Sequence, residues 1–323
     1  MLFLLYYLFR IGELMKRLSH FLMTISAFVI VFGFIMNYQV SITKTFNELT
    51  EKLGDNKIEF KNKNDYYRNY NFSFVQDTNS TTPSNYQELL NTLYTILNRG
   101  YYSFTFYCSD EYDNCVNDIT SIANDQELLS TINNYVHPFN SFSNVEIGYN
   151  TDNMIMVSFN KNYSSEDIDV INPLVNTIFE LTYNPNDTLE NNILAFHDYI
   201  INNTKYDSNR SEYNIIDYRS DIAYGTFIDH YALCGGYSDA MALFLEKMGI
   251  KNFKVASSNH VWNAVYLNDN WYNLDLTWDD PVTPDNRDIL DHSYFLVSTD
   301  KLLSLDTTEH TFESNFYKEL KNS

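Results

Sequence analysis

Apolar residues recur along this chain with two periods, and each change of period marks an element. After Ser84, the residues Leu89, Leu90, Leu93, Ile96 and Leu97 recur at helical spacing, and Gly100 follows as a stop. Ser84 with Gln87 three positions on reads as a capping box for that helix. Tyr102, Phe104, Phe106 and Cys108 then alternate as one face of a strand. A helix is expected over 117–135, followed by a hairpin of strands 144–150 and 153–160 that turns at Thr151-Asp152. The next helix, 187–203, opens with Asp187 as cap and Glu190 at its third position. Tyr237, Met241, Phe244, Leu245 and Met248 restore the helical period over 234–248, where Gly249 is the stop. Two strands rich in Val, Trp, Tyr and Leu, 260–267 and 270–277, come after it. No internal repeat is present.

One stretch fits neither period. Residues 18–36 are predominantly apolar, carry no formal charge and are long enough to cross a hydrocarbon core. Arg10, Lys16 and Arg17 precede them, while Glu48, Glu51 and Asp55 follow among scattered lysines. The positive-inside rule therefore makes 1–17 a cytoplasmic N-terminus and 18–37 a transmembrane signal anchor, with the remainder outside the membrane. A secreted chain released by signal cleavage is the alternative. Met15 reads as the true translation start, which makes Met1–Phe9 an over-extension. The polar run Thr78-Asn79-Ser80-Thr81-Thr82-Pro83 closes a juxtamembrane linker of 38–83. A small α/β module of 84–162 and a second domain of 163–323 complete the division.

The chemistry lies in the second domain. Cys234 heads the 234–248 helix, where unpaired N–H groups favour a thiolate. If Asn268-Asp269 is a two-residue turn, Leu267 faces Asn270 and Trp262 faces Asp275. His260 then becomes a diagonal neighbour of Asp275 on the same face, with Cα atoms roughly 7–8 Å apart. A one-residue change in the turn would separate them. A thiol as nucleophile, an imidazole to move its proton and a carboxylate to orient the imidazole make a complete acyl-transfer set. Asp279 and Asp280 are alternative orienters. The Cys234 N–H is the first oxyanion donor, and Ala223-Tyr224-Gly225-Thr226 is the candidate stretch for a second. His197, His230, Tyr237, Trp262, Trp271 and Trp278 read as packing residues.

The motifs Cys234-Gly235-Gly236-Tyr237-Ser238-Asp239-Ala240, His260-Val261-Trp262-Asn263-Ala264-Val265 and Trp271-Tyr272-Asn273-Leu274-Asp275-Leu276-Thr277-Trp278-Asp279-Asp280-Pro281 resemble the three core motifs of the transglutaminase-like superfamily. The resemblance runs from about Asp187 through Ser298 and toward His310, less than half of the chain. It implies an α+β fold: a papain-like core with the Cys-bearing helix packed on an antiparallel sheet. Position by position it makes Cys234 the nucleophile, His260 the base and Asp275 the orienting acid. Members include cross-linking enzymes, peptidases and amidases, and some lineages lack the triad.

Composition narrows the partners. A formal net charge of −21 argues against nucleic-acid binding. The heavy use of Asn, Tyr, Lys and Ile resembles the coding of an AT-rich bacterial genome. There are three cysteines. Cys108 and Cys115 are a disulfide pair if the chain is exposed to an oxidising exterior, or else Cys108 is a buried strand residue. No zinc-ligand spacing or phosphate-binding glycine loop occurs, so neither a metal nor a cofactor is expected. Three functions stay open. The first is a Cys234 thioester enzyme acting on protein or peptide amides at the cell surface, by hydrolysis or cross-linking. The second is a catalytically silent binding module of the same fold. The third is an anchored assembly partner working through the 84–162 module.

Overall fold

The computed structural model describes residues 58–61, 63–150, 153–282 and 289–321. The apolar segment 18–37, the Met15 start and the Thr151-Asp152 turn lie outside these residues. Among the described residues no helix is long and apolar enough to cross a membrane.

The first helix, α1, spans Tyr86–Asn98. Its cap is Asn85 rather than Ser84: the Asn85 side chain accepts from the Glu88 N–H, and the Glu88 carboxylate accepts from the N–H and hydroxyl of Ser84. The cap is thus displaced by one residue, and Glu88 reaches back to Ser84 rather than to the N–H of the cap itself, so the reciprocal box is not closed. Gly100 follows with φ +81°, the left-handed conformation that suits glycine after a helix. Strand β1 is Ser103–Tyr107. The helix expected over 117–135 is two helices, α2 (Cys115–Asn124) and α3 (Gln126–Asn134). The break is Asp125, which leaves helical geometry and caps α3 by accepting from the Leu128 N–H. Strands β2 (Phe142–Tyr149) and β3 (Met154–Lys161) complete an antiparallel sheet in the order β1-β3-β2.

Helix α4 (Ser165–Thr182) opens with a full capping box between Ser164 and Asp167. Helix α5 (Leu189–Asn203) is capped by Thr188, not by Asp187. The Asp187 carboxylate instead accepts from the Thr188 N–H and the Asn191 amide. A short parallel pair, β4 (Lys205–Tyr206) with β5 (Tyr231–Ala232), brackets helix α6 (Ser208–Tyr213) and leads into α7, Cys234–Lys247.

The second antiparallel sheet runs β6 (Asn252–Ala256), β7 (Val261–Leu267) and β8 (Asn270–Leu274). Leu267 pairs with Asn270 across Asn268 and Asp269, whose φ values of 51° and 63° make the type I′ turn that short hairpins favour. The last strand stops at Leu274, three residues earlier than the pattern suggests. Its end is set by Asp275, whose Oδ1 accepts from the N–H groups of Thr277 (2.9 Å) and Trp278 (3.3 Å) and so bends the chain into a turn. Val297 pairs with Asn273, and helix α8 (Thr299–Leu305) follows.

The sheet β6–β8 is packed on both faces. Phe253, Val255, Trp262 and Ala264 join Phe72, Phe106, Ile119, Ile132, Tyr135 and Tyr317 in one apolar cluster. Val265, Leu267 and Leu274 join Ile193, Phe196, Met241 and Phe244 of α5 and α7 in a second. The first cluster crosses the sequence division at residue 163, so the 84–162 module shares a core with the domain that follows it. Arg68 strengthens this junction: it is buried, paired with Glu246 at 2.9 Å, and donates to the Asn252 side chain and the Tyr135 carbonyl. Two-sided burial is why β7 reads as a nearly unbroken apolar run.

Candidate active site

Helix α7 has no side-chain cap, and Leu233 precedes it in extended geometry. Cys234 therefore occupies the first helical position, where the N–H groups of the opening turn have no intrahelical acceptor. The backbone of Ser220-Asp221 crosses this turn closely. A Cβ on Gly235 would lie 2.3 Å from the Asp221 carbonyl, and one on Gly236 would lie 2.5 Å from that of Ser220. Both positions after the thiol thus require glycine for space rather than for φ. The Ser220 carbonyl is further fixed by accepting from the Leu233 N–H at 2.8 Å.

On the hairpin, the chain turns at Ser257–His260, where the Ser257 hydroxyl accepts from the His260 N–H and the His260 carbonyl accepts from the Ser257 N–H. This turn delivers a buried imidazole whose Nε2 lies 2.5 Å from Asp275 Oδ2. The ring also interacts with the Cys234 side chain. Burial alone would lower the His260 pKa. The Asp275 carboxylate and the Cys234 side chain overcome that effect and raise it to about 10. For Asp275, burial favours the neutral acid, but His260 and His310 reverse this and hold the carboxyl well below the usual range. Trp262 lies against the imidazole, with ring centroids 5.7 Å apart.

The alternative orienters are engaged elsewhere. Asp279 is fully buried, with Oδ2 3.2 Å from His197 Nε2 and Oδ1 accepting from the Tyr294 N–H at 2.9 Å. The Asp280 carboxylate accepts from the Tyr237 hydroxyl. The stretch proposed for a second oxyanion donor is committed in part. The Ala223 N–H donates to the Tyr163 hydroxyl, and the Gly225 N–H to the Ile222 carbonyl. Thr226 Oγ1 packs beneath Gly236, buried and without a hydrogen-bond partner among the described residues. Thr226 thus packs against the opening turn of α7. Tyr206 interacts electrostatically with Cys234, and its hydroxyl donates to Ser211.

His310 is the site residue that periodicity does not single out. It is fully buried, and its Nε2 lies 2.9 Å from the same Asp275 oxygen that His260 reaches. Its Nδ1 lies 2.9 Å from Asp306 Oδ2. The result is a continuous polar chain, Cys234–His260–Asp275–His310–Asp306. Its last two members come from a segment after α8 with no strand or helix period, which left only the loose reach of the motif resemblance to point there. Beside the His260 turn, an open cleft of about 590 Å³ lies between Ser257-Ser258, Thr311–Glu313 and the α3 residues Glu127 and Thr131. The cysteines divide as a disulfide between Cys108 and Cys115, and a free, partly exposed Cys234.

Residues 176–276 match the model of the transglutaminase-like superfamily, so the chain contains a transglutaminase-like domain that includes Cys234, His260 and Asp275. Among solved structures, the chain is similar to a TGase at 18% identity, covering 46% of this chain and 47% of that one with a TM-score of 0.32. It is also similar to a proposed cysteine protease from Cytophaga hutchinsonii at 12% identity, covering 48% and 69% with a TM-score of 0.26. The match thus spans about half the length of the TGase. No curated protein matches the chain.

Proposed function

We propose that this chain is a cysteine acyl-transfer enzyme of the transglutaminase-like type, with Cys234 as nucleophile, His260 as proton carrier and Asp275 as the orienting carboxylate. The observation that carries this reading is the buried His260–Asp275 pair at 2.5 Å, joined to a thiol at the head of α7. A raised imidazole pKa keeps the ring protonated beside sulfur, which is the condition for a thiolate–imidazolium pair.

The reaction follows from that pair. The Cys234 sulfur attacks the carbonyl carbon of a protein or peptide amide, and the oxyanion forms against the free N–H groups of the α7 turn. The C–N bond breaks as His260 gives its proton to the leaving amine, which leaves an acyl thioester on Cys234. Water, or an amine in a cross-linking reaction, then loses a proton to His260 and attacks the thioester, releasing the acyl group and restoring the thiol. We favour hydrolysis by a peptidase or amidase over cross-linking.

We place the domain on the outer side of a membrane, held by residues 18–37. The apolar length of that segment, the basic residues before it and the Cys108–Cys115 disulfide support this location.

The test is to incubate the full chain with amide-peptide libraries and trap the acyl-enzyme by acid quench and intact-mass analysis. An adduct that maps to Cys234, and is absent in Cys234→Ala, is the expected outcome. Turnover that persists unchanged in Cys234→Ala would end the enzyme reading.

A further inference from the structure

A second cluster lies where α5 meets the segment that follows the triad hairpin. His197 and Asp198 come from α5, and His292 arrives from the return segment. Asp198 Oδ1 lies 2.9 Å from His197 Nδ1 and 2.8 Å from His292 Nε2, and the three atoms fall within 4.8 Å of one another. We propose that these three side chains form a binding site for a divalent first-row cation, zinc foremost.

Three features of the cluster support a built site. Zinc sits about 2.0–2.2 Å from imidazole nitrogen and carboxylate oxygen, so the ion fits among these atoms with a small spreading of ligands already gathered. Two imidazoles with one carboxylate suit zinc, copper or nickel better than magnesium or calcium, which prefer all-oxygen shells. The third feature is behind the ligands. His197 Nε2 faces the buried Asp279 carboxylate at 3.2 Å. A ligating histidine that donates its other N–H to a carboxylate has its tautomer and orientation fixed, the arrangement that supports metal-binding imidazoles.

Access is also provided. The His197 side chain is fully buried, while those of Asp198 and His292 are 33% and 44% exposed. The site is therefore anchored on the inside and open on the outside, leaving room for water as a further ligand. The other histidine–carboxylate group, His260 with Asp275 and His310, is buried at all three members and belongs to the proposed reaction centre.

The position gives such an ion a task. The Asp275 N–H donates to the Tyr294 carbonyl, the Tyr294 N–H donates to Asp279, and the Asp291 N–H donates to the Asp279 carbonyl. A cation joining His292 to α5 would pin this return segment, and with it the backbone that carries Asp275.

The experiment uses the full chain with Cys234→Ala, which removes thiolate binding, after dialysis against a chelator. Zinc chloride is titrated calorimetrically, and cobalt(II) is followed by its visible absorption. The expected result is one equivalent bound at micromolar or tighter affinity, with affinity lowered by more than about tenfold in His292→Ala and in Asp198→Asn, since even outer partners of such ligands contribute about 10–100-fold. Both positions are partly exposed, so thermal melts without metal should match the parent, and zinc should raise the parent's Tm alone. Binding weaker than millimolar, or binding that survives both substitutions, would overturn the site.

Discussion

His310 shares one oxygen of Asp275 with His260: its Nε2 lies 2.9 Å from Asp275 Oδ2, which His260 Nε2 reaches at 2.5 Å. The carboxylate is thus held by two imidazoles on one oxygen and by two backbone N–H groups on the other. Each oxygen of this buried carboxylate thus has two hydrogen-bond partners, as burial requires.

Removing the second imidazole should therefore loosen the orienting group without deleting it. In His310→Ala, kcat/KM is expected to fall by about 10–100-fold, the equivalent of one hydrogen bond to a charged group. The loss should be smaller than in Cys234→Ala or His260→Ala. His310→Gln, which can still donate to Asp275, should recover part of it. A purely structural role would lower Tm in both variants while leaving kcat/KM per folded molecule unchanged.

The pH dependence has a defined sign. The folded pKa of His260 is raised to about 10, against an ordinary value of about 6.5. Its stabilising contribution is fully present below about pH 6.5 and is lost as pH rises through about 10. Asp275 is shifted the other way, so its contribution is present above about pH 4 and disappears only in strong acid. The stability difference between wild type and His260→Gln, measured by denaturant melts, should shrink between pH 6.5 and 10. The alkaline limb of kcat/KM should fall near pH 10, and a limb near 6.5 would contradict the paired state.

The turn after Cys234 is sterically closed. Gly236→Ala places a methyl group against the Ser220 carbonyl and Ala232. A destabilisation of about 1–3 kcal/mol is expected, the usual effect of overpacking. Alkylation of Cys234 by iodoacetamide should slow at the same time, because the opening of α7 must shift. Gly249→Ala is the contrast, since a Cβ there meets nothing within 4 Å but sits at φ +69°. It should affect stability alone.

The Cys108–Cys115 bridge closes a short loop between β1 and α2. By the loop-entropy relation, its removal in a Cys108→Ala/Cys115→Ala double variant should cost about 2–3 kcal/mol in chemical denaturation. Thiol titration should give one reactive group in the native protein under non-reducing conditions and one in the double variant. Three in the native protein would exclude the bridge.

The sequence made the hairpin legible in detail, because a two-residue Asn-Asp turn leaves little choice of register and parity then places His260 with Asp275. Helix α7 was equally plain from its period and its Gly249 stop. Local capping was less so: Asn85 and Thr188 displaced Ser84 and Asp187, since adjacent polar residues compete for one cap and only the backbone decides between them. The break at Asp125 was hidden because the apolar period continues across it in α2 and α3. His310 and the His197–Asp198–His292 cluster depend on contacts between distant segments, which no spacing rule reports. Asp279 was a fair rival to Asp275 until the fold gave it to His197.

The order of these residues along the chain also has a temporal meaning. Cys234 leaves the ribosome well before His260 and Asp275, and His310 follows only after a further helix has been made. The polar chain through His260, Asp275, His310 and Asp306 cannot close until that late segment has emerged and packed. The buried network beside Cys234 is therefore completed as one of the final events of folding rather than with the synthesis of the cysteine itself.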